Sequence, residues 1–191
     1  MLKIRLPVIK MQTYISLLRG INVGGKNIIK METLKQCFVD AGFSGVKTYI
    51  QSGNVIFRTR DTDMIELPKR IEKQLLKTFS IEIKTAILTE NALIETVENA
   101  PESFGLEPKK FRYDVWFLLP AITVNELMSN IRLREGVDFL QAGKNVIYAS
   151  RLTGEMNRSY LQKIIQTPIY QNITVRNWNT TTKLLEIVRN G

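Results

Sequence analysis

Gly20-Ile21-Asn22-Val23-Gly24-Gly25-Lys26-Asn27 is the stretch whose residue types and spacing come nearest to doing chemistry. It almost spells G-x-x-x-x-G-K-[ST], in which glycine amides and a lysine surround nucleotide phosphates and a hydroxyl holds magnesium. Asn27 stands where that hydroxyl belongs, and helical periodicity resumes only at Met31, too late for a helix N-terminus to face a phosphate. Triphosphatase chemistry is therefore not expected. A more general property survives: Gly24 and Gly25 let the backbone approach a ligand closely, and Arg19 and Lys26 flank them with charge. A tight turn that needs positive φ would also explain the glycines.

Two further clusters carry polar groups. Gln51, Ser52 and Asn54 surround a compact hairpin signal and offer amide and hydroxyl donors and acceptors, although Ser52 and Asn54 could serve only to close the turn. Arg176-Asn177-Trp178-Asn179-Thr180 sets an arginine beside a tryptophan at the start of a helical pattern, with Thr180 as its expected cap. Arg176 and Asn177 join the candidate set for an anion; Trp178 fits the core better than a ligand. Arg151, Arg158 and Lys163 are expected on the same basic side.

The chain of 191 residues has no histidine and one cysteine, Cys37. Imidazole general-base chemistry, Ser-His-Asp and Cys-His pairs, the usual zinc sites and an intramolecular disulfide are thereby excluded. No metal site and no cofactor are expected. Cys37 lies within an apolar helical stripe and reads as core. The carboxylates Glu32, Asp40, Asp114 and Glu155 form no recognisable catalytic pair. With 27 Lys and Arg against 18 Asp and Glu, the formal charge is +9, and the stretch from Lys144 to Arg189 is basic. Such a balance suits an anionic partner. No apolar run is long enough to span a membrane, and MLKIRLPVIK lacks the apolar core of a signal peptide, so a soluble cytoplasmic protein is expected.

The elements that must position these residues follow from periodicity. Thr13–Arg19 reads as a strand, 31–41 as a helix stopped by Gly42, and Val46–Gln51 with Val55–Arg58 as a hairpin. A helix over Met64–Phe79 and a strand over Ile83–Thr89 complete the order β-α-β-β-α-β, the ferredoxin-like arrangement. After a linking helix over Glu90–Ala100 the order repeats. It comprises a strand Tyr113–Leu119, a helix Thr123–Arg134, a hairpin around Gly143-Lys144, a helix Glu155–Gln166, a strand Ile173–Arg176 and a last helix Thr180–Val188. Tyr49-Ile50-Gln51-Ser52-Gly53-Asn54-Val55 parallels Phe139-Leu140-Gln141-Ala142-Gly143 and Asn145-Val146, which reads as a duplication, although turn chemistry favours Gly and Asn and would also make two hairpins alike by chance. The fold class expected is α+β, two tandem ferredoxin-like (βαββαβ) halves with antiparallel sheets and a terminal helix after the second. The domains are 1–10 as an extension dispensable for stability, 11–100 as the first half and 101–191 as the second. Compared with its counterpart in the second half, the first carries surplus chain at Gly20–Lys30. Surplus loop is where function concentrates.

The sequences Leu17-Leu18-Arg19-Gly20-Ile21-Asn22-Val23-Gly24-Gly25-Lys26, Thr48-Tyr49-Ile50-Gln51-Ser52-Gly53-Asn54-Val55 and Thr174-Val175-Arg176-Asn177-Trp178-Asn179-Thr180 resemble the bacterial family called domain of unknown function 1697. The resemblance runs from Met11 to the C-terminus and implies a duplicated α+β fold, without an activity or catalytic residue to carry over. Residues 1–10 depart from the family's usual start.

Three readings of function stand at this point. One is a small phosphate-bearing ligand, bound or turned over at Arg19–Lys26 and Gln51–Asn54. Another is RNA or DNA bound on a basic sheet face, with Tyr49 and Phe57 as candidate stacking aromatics. The third is an interaction protein, such as a homodimer, without ligand chemistry.

Overall fold

The first strand, β1 (Gln12–Leu18), is apolar on both faces, and this decides how the molecule is layered: Tyr14 and Leu18 enter one hydrophobic cluster, Ile15 and Leu17 another. A strand buried on both sides must be covered twice. The computed structural model describes residues 10–25 and 27–190. Expectations for residues 1–9 and for Lys26 lie outside the described residues.

The first sheet adds β2 (Ser44–Tyr49), β3 (Asn54–Thr59) and β4 (Thr85–Thr89) in the order β2-β3-β1-β4, with every pairing antiparallel. Helices α1 (Met31–Asp40) and α2 (Glu66–Phe79) cover one face through Leu34, Phe38, Leu67, Ile71 and Leu75, which pack on Tyr14, Val55 and Phe57. Cys37 is 1% exposed in this layer, where burial pushes its thiol up from the ordinary value. The second sheet comprises β5 (Phe111–Leu118), β6 (Asp138–Ala142), β7 (Val146–Leu152) and β8 (Ile173–Asn177) in the order β6-β7-β5-β8, again antiparallel. Between the sheets lie α3 (Glu90–Glu98) and the C-terminal α5 (Trp178–Arg189). Their Leu93, Leu184 and Leu185 share one cluster with Ile15 and Ile56 of the first sheet and Val115, Phe117 and Tyr148 of the second. The far face of the second sheet, with Trp116, Ile147 and Ile173, packs on Leu127 of α4 (Val124–Ser129) and on Leu161 and Ile164.

Local chemistry explains most boundaries. Thr123 and Glu126 close a reciprocal capping box at α4, as Thr123 promised in the sequence. Three expectations fail. The helix expected over Thr123–Arg134 ends at Ser129, where Asn130 closes it with its Nδ2 on Glu126 O. The helix over Glu155–Gln166 is instead a run of 3-10 turns, Thr153–Arg158 and Leu161–Gln166, followed by Pro168–Asn172. The break falls where Ser159 Oγ and the Tyr160 amide donate to the buried Asp138 carboxylate, a partner on another element. The last helix starts at Trp178, capped by Asn177 whose Oδ1 accepts from the Asn179 amide at 3.0 Å, so Thr180 is not its cap. Among the described residues no helix is long and apolar enough to cross a membrane.

Candidate functional site

β1 ends at Leu18, and the chain then enters the surplus loop. Asn22, at φ 52°, holds the loop from inside. Its Nδ2 donates to Ile29 O at 3.0 Å and to Gln51 O at 2.8 Å, and its Oδ1 accepts from Ile29 N at 2.7 Å. The Asn22 amide donates to Asn27 O at 3.1 Å, and Asn27 Nδ2 returns to Gly20 O at 3.0 Å. Between these ties Gly24 and Gly25 stand at φ 58° and 73°, with open space where a Cβ would be. Consecutive positive φ values are what a type I′ turn demands, so turn geometry by itself explains both glycines. The loop is thus a small closed excursion with an exposed glycine tip. α1 begins only at Met31 and β1 lies in an antiparallel sheet, so the geometry of a triphosphatase loop is absent.

Loop and hairpin tip converge, because β1 and β2 both run antiparallel to β3 and so end at the same side of the sheet. Besides the Asn22–Gln51 bond, the Leu18 amide donates to Gly53 O at 2.8 Å. Asn54 is fully buried: its Nδ2 donates to Tyr49 O at 2.9 Å and Ser52 Oγ at 3.0 Å, and its Oδ1 accepts from Arg176 Nε. Gly53 is required here, since a Cβ would come within 2.7 Å of Ile21 Cδ1 and 2.8 Å of Leu18 Cβ.

Arg176 comes from β8, in the other sheet. Its Nη2 donates to Leu18 O at 2.7 Å and Ser52 O at 2.9 Å, and its Nη1 to Thr174 Oγ1 at 2.9 Å and Val175 O at 2.8 Å. It is 6% exposed, and no carboxylate among the described residues pairs with it. Desolvation lowers its pKa from 12.5 to about 10, which still leaves a full positive charge at neutral pH. The guanidinium proposed from sequence to grip an anion therefore directs its donors inward and fastens the hairpin tip. Asn177 is likewise occupied, with Nδ2 on Tyr113 O at 3.0 Å.

What faces outward at this junction is Arg19, Gln51, the edge of Ser52 and the glycine tip. Arg19 lies over the Tyr170 ring at 5.0 Å and donates from Nε to Tyr170 O at 3.3 Å; it too lacks a carboxylate among the described residues. Tyr170 is the participant that sequence reasoning missed. It lies in the 3-10 turns, far along the chain, and nothing local marks it. The other expected cations go elsewhere: Arg151 pairs with buried Asp114 at 2.7 Å, Arg158 pairs with Glu155 at 3.0 Å, and Lys163 sits over the Tyr160 ring. Phe57 is fully buried and so not displayed for stacking, while Tyr49 is half-buried and packs against the central layer. Among the described residues no group of three or more His, Cys, Asp or Glu is placed to hold a metal.

A family model described as a protein of unknown function (DUF1697) matches residues 11–148. The chain is similar in structure to the conserved bacterial protein SP0830 from Streptococcus pneumoniae, with a TM-score of 0.83 and 25% sequence identity over 94% of this chain and 99% of that one. No curated protein matches the sequence.

Proposed function

We propose that this chain, which belongs to the DUF1697 family of proteins of unknown function, binds a small phosphate-bearing anion where the Gly20–Asn27 loop meets the Gln51–Asn54 hairpin tip. The observation that carries the reading is a pair of arginines without counter-ions among the described residues. Arg176 is buried among neutral acceptors, one of them the Leu18 carbonyl, and Arg19, the next residue along the chain from Leu18, lies on Tyr170 at the foot of a loop whose glycine tip is open. A desolvated cation hydrogen-bonded only to neutral groups keeps its field, and that field favours an anion at the nearest accessible surface. Arg19 and Gln51 would contact the ligand; Asn22, Asn54 and Arg176 would fix the surface that they stand on.

Both sheets have the strand order second-third-first-fourth within their own half, which supports reading the molecule as two tandem ferredoxin-like units. The second unit has replaced one helix by 3-10 turns, and Tyr170 in those turns is what reaches Arg19.

The test is thermal stabilisation by inorganic phosphate, nucleotides and sugar phosphates, in wild type and Arg19→Ala. Saturable stabilisation, weakened about tenfold or more in the variant with its ligand-free melting temperature retained, is expected for loss of a charged contact. Absence of any saturable compound, or an unchanged curve in Arg19→Ala, would overturn the reading.

A further inference from the structure

The failed helix of the second half leaves a cavity of about 490 Å3, lined by Asn130, Ile131, Arg132, Tyr160, Lys163, Ile164 and Thr167. We propose that this cavity is a second binding site, distinct from the loop site, for a phosphate ester with an apolar or ring-shaped body.

The cations at and beside the cavity have no ion-pair partner among the described residues. Arg132 and Lys163 line it, and Arg134 adds a third cation through Tyr160: its guanidinium carbon is 5.8 Å from the ring centroid and its Nη1 donates to the hydroxyl at 3.4 Å. Lys163 Nζ lies 5.2 Å from the same ring. None of the three is in an ion pair with a carboxylate among the described residues, whereas Arg151, Arg158, Lys144 and Lys183 each are. Among the described residues no carboxylate lines the cavity. Arg134 and Lys163 share one tyrosine ring and Arg132 lines the same cavity, so like charges are gathered there, and a phosphate dianion relieves their repulsion while accepting their hydrogen bonds.

The site is also built to hold its shape. Asp138 is 4% exposed and accepts from Arg134 N at 2.9 Å, Tyr160 N at 2.8 Å and Ser159 Oγ at 2.5 Å, so one buried carboxylate ties the cation segment to the tyrosine segment. Its oxygens are spent on these donors. Asn130 closes α4 by donating from Nδ2 to Glu126 O at 2.7 Å, which fixes the other rim. Ile131 and Ile164 supply apolar floor, and the volume fits a mononucleotide-sized ligand rather than a bare ion. A regular helix over Glu155–Gln166 could not bend its chain to Asp138; breaking it into 3-10 turns both reaches that carboxylate and opens the cavity.

The experiment uses the full chain and follows amide chemical shifts of Arg132, Lys163 and Thr167. The probes are inorganic phosphate, a nucleoside diphosphate, and vesicles of phosphatidylglycerol in phosphatidylcholine. Saturable shifts are expected, with affinity falling about tenfold or more in both Arg132→Gln and Lys163→Gln and unchanged in Arg19→Ala. Shifts with the diphosphate alone, or with vesicles alone, support the site and identify its phosphate source as a free compound or a lipid headgroup. Binding that survives both Gln variants, or no shift with any probe, overturns the proposal. Arg132 and Lys163 are exposed, so both variants should keep the wild-type melting temperature, and a loss of affinity is read only where they do.

Discussion

Replacing Arg176 by methionine keeps the length of the side chain and removes every donor. Asn54 Oδ1, Leu18 O and Ser52 O then lose the buried partner that satisfies them, although Thr174 Oγ1, 3.3 Å from Leu18 O, can compensate that carbonyl in part. Each stranded acceptor costs about 1–3 kcal/mol. Against this, the desolvated charge disappears; the fall in pKa from 12.5 to about 10 puts its relief at roughly 3 kcal/mol. The balance is a net loss of about 3 kcal/mol, at the lower end of what breaking a buried polar network does. For a chain of this size that corresponds to a fall of about 10 °C in melting temperature. Arg176→Lys keeps the charge with a smaller donor set and should fall between the two. Calorimetry or a circular-dichroism melt reads the effect, and an Arg176→Met protein melting within about 3 °C of wild type would refute the clamp. A double-mutant cycle with Asn54→Ala should show coupling of about 1 kcal/mol or more, since the two side chains bond directly.

Gly53→Ala should destabilise by about 3 kcal/mol, because the added methyl meets Ile21 and Leu18 at a residue with φ 74°. Gly24→Ala, in open space at φ 58°, should lose only about 1 kcal/mol from backbone strain. Equal losses in urea titrations would contradict the packing argument. Burial raises the pKa of Tyr148, whose hydroxyl donates to Thr96 O at 2.8 Å. The unfolded chain therefore ionises first as pH climbs past about 10, the folded state holds more protons there, and stability falls. Tyr148→Phe should lose about 1 kcal/mol at neutral pH yet show a shallower alkaline decline. Parallel curves for the two proteins between about pH 9 and 11 would contradict this assignment.

The elements were legible where their signals were local. The apolar spacing of Leu34 and Phe38, the capping pair Thr123 and Glu126, and the glycine-centred hairpin at Gly53 each settle their own few residues. The stretch from Glu155 to Gln166 was not legible. Its periodicity favours a helix, and what overrides it is Asp138, which sits on another strand and draws in Ser159 and Tyr160. The convergence of the loop with the hairpin tip followed from strand direction, since β1 and β2 both run antiparallel to β3. Which of its residues face outward did not, because Arg176 and Asn54 look from the sequence like surface polar groups and turn out to satisfy each other across the two halves.

Arg176 also orders events in time. The acceptors at Leu18, Ser52, Gly53 and Asn54 leave the ribosome well before their donor, which lies 122 to 158 residues later, in β8. Until β8 is synthesised the first hairpin has its turn but not its fastening, and water must occupy the place of the guanidinium. A late strand thus completes a corner begun at β1, and the first hairpin reaches its final form only after β8 has been made.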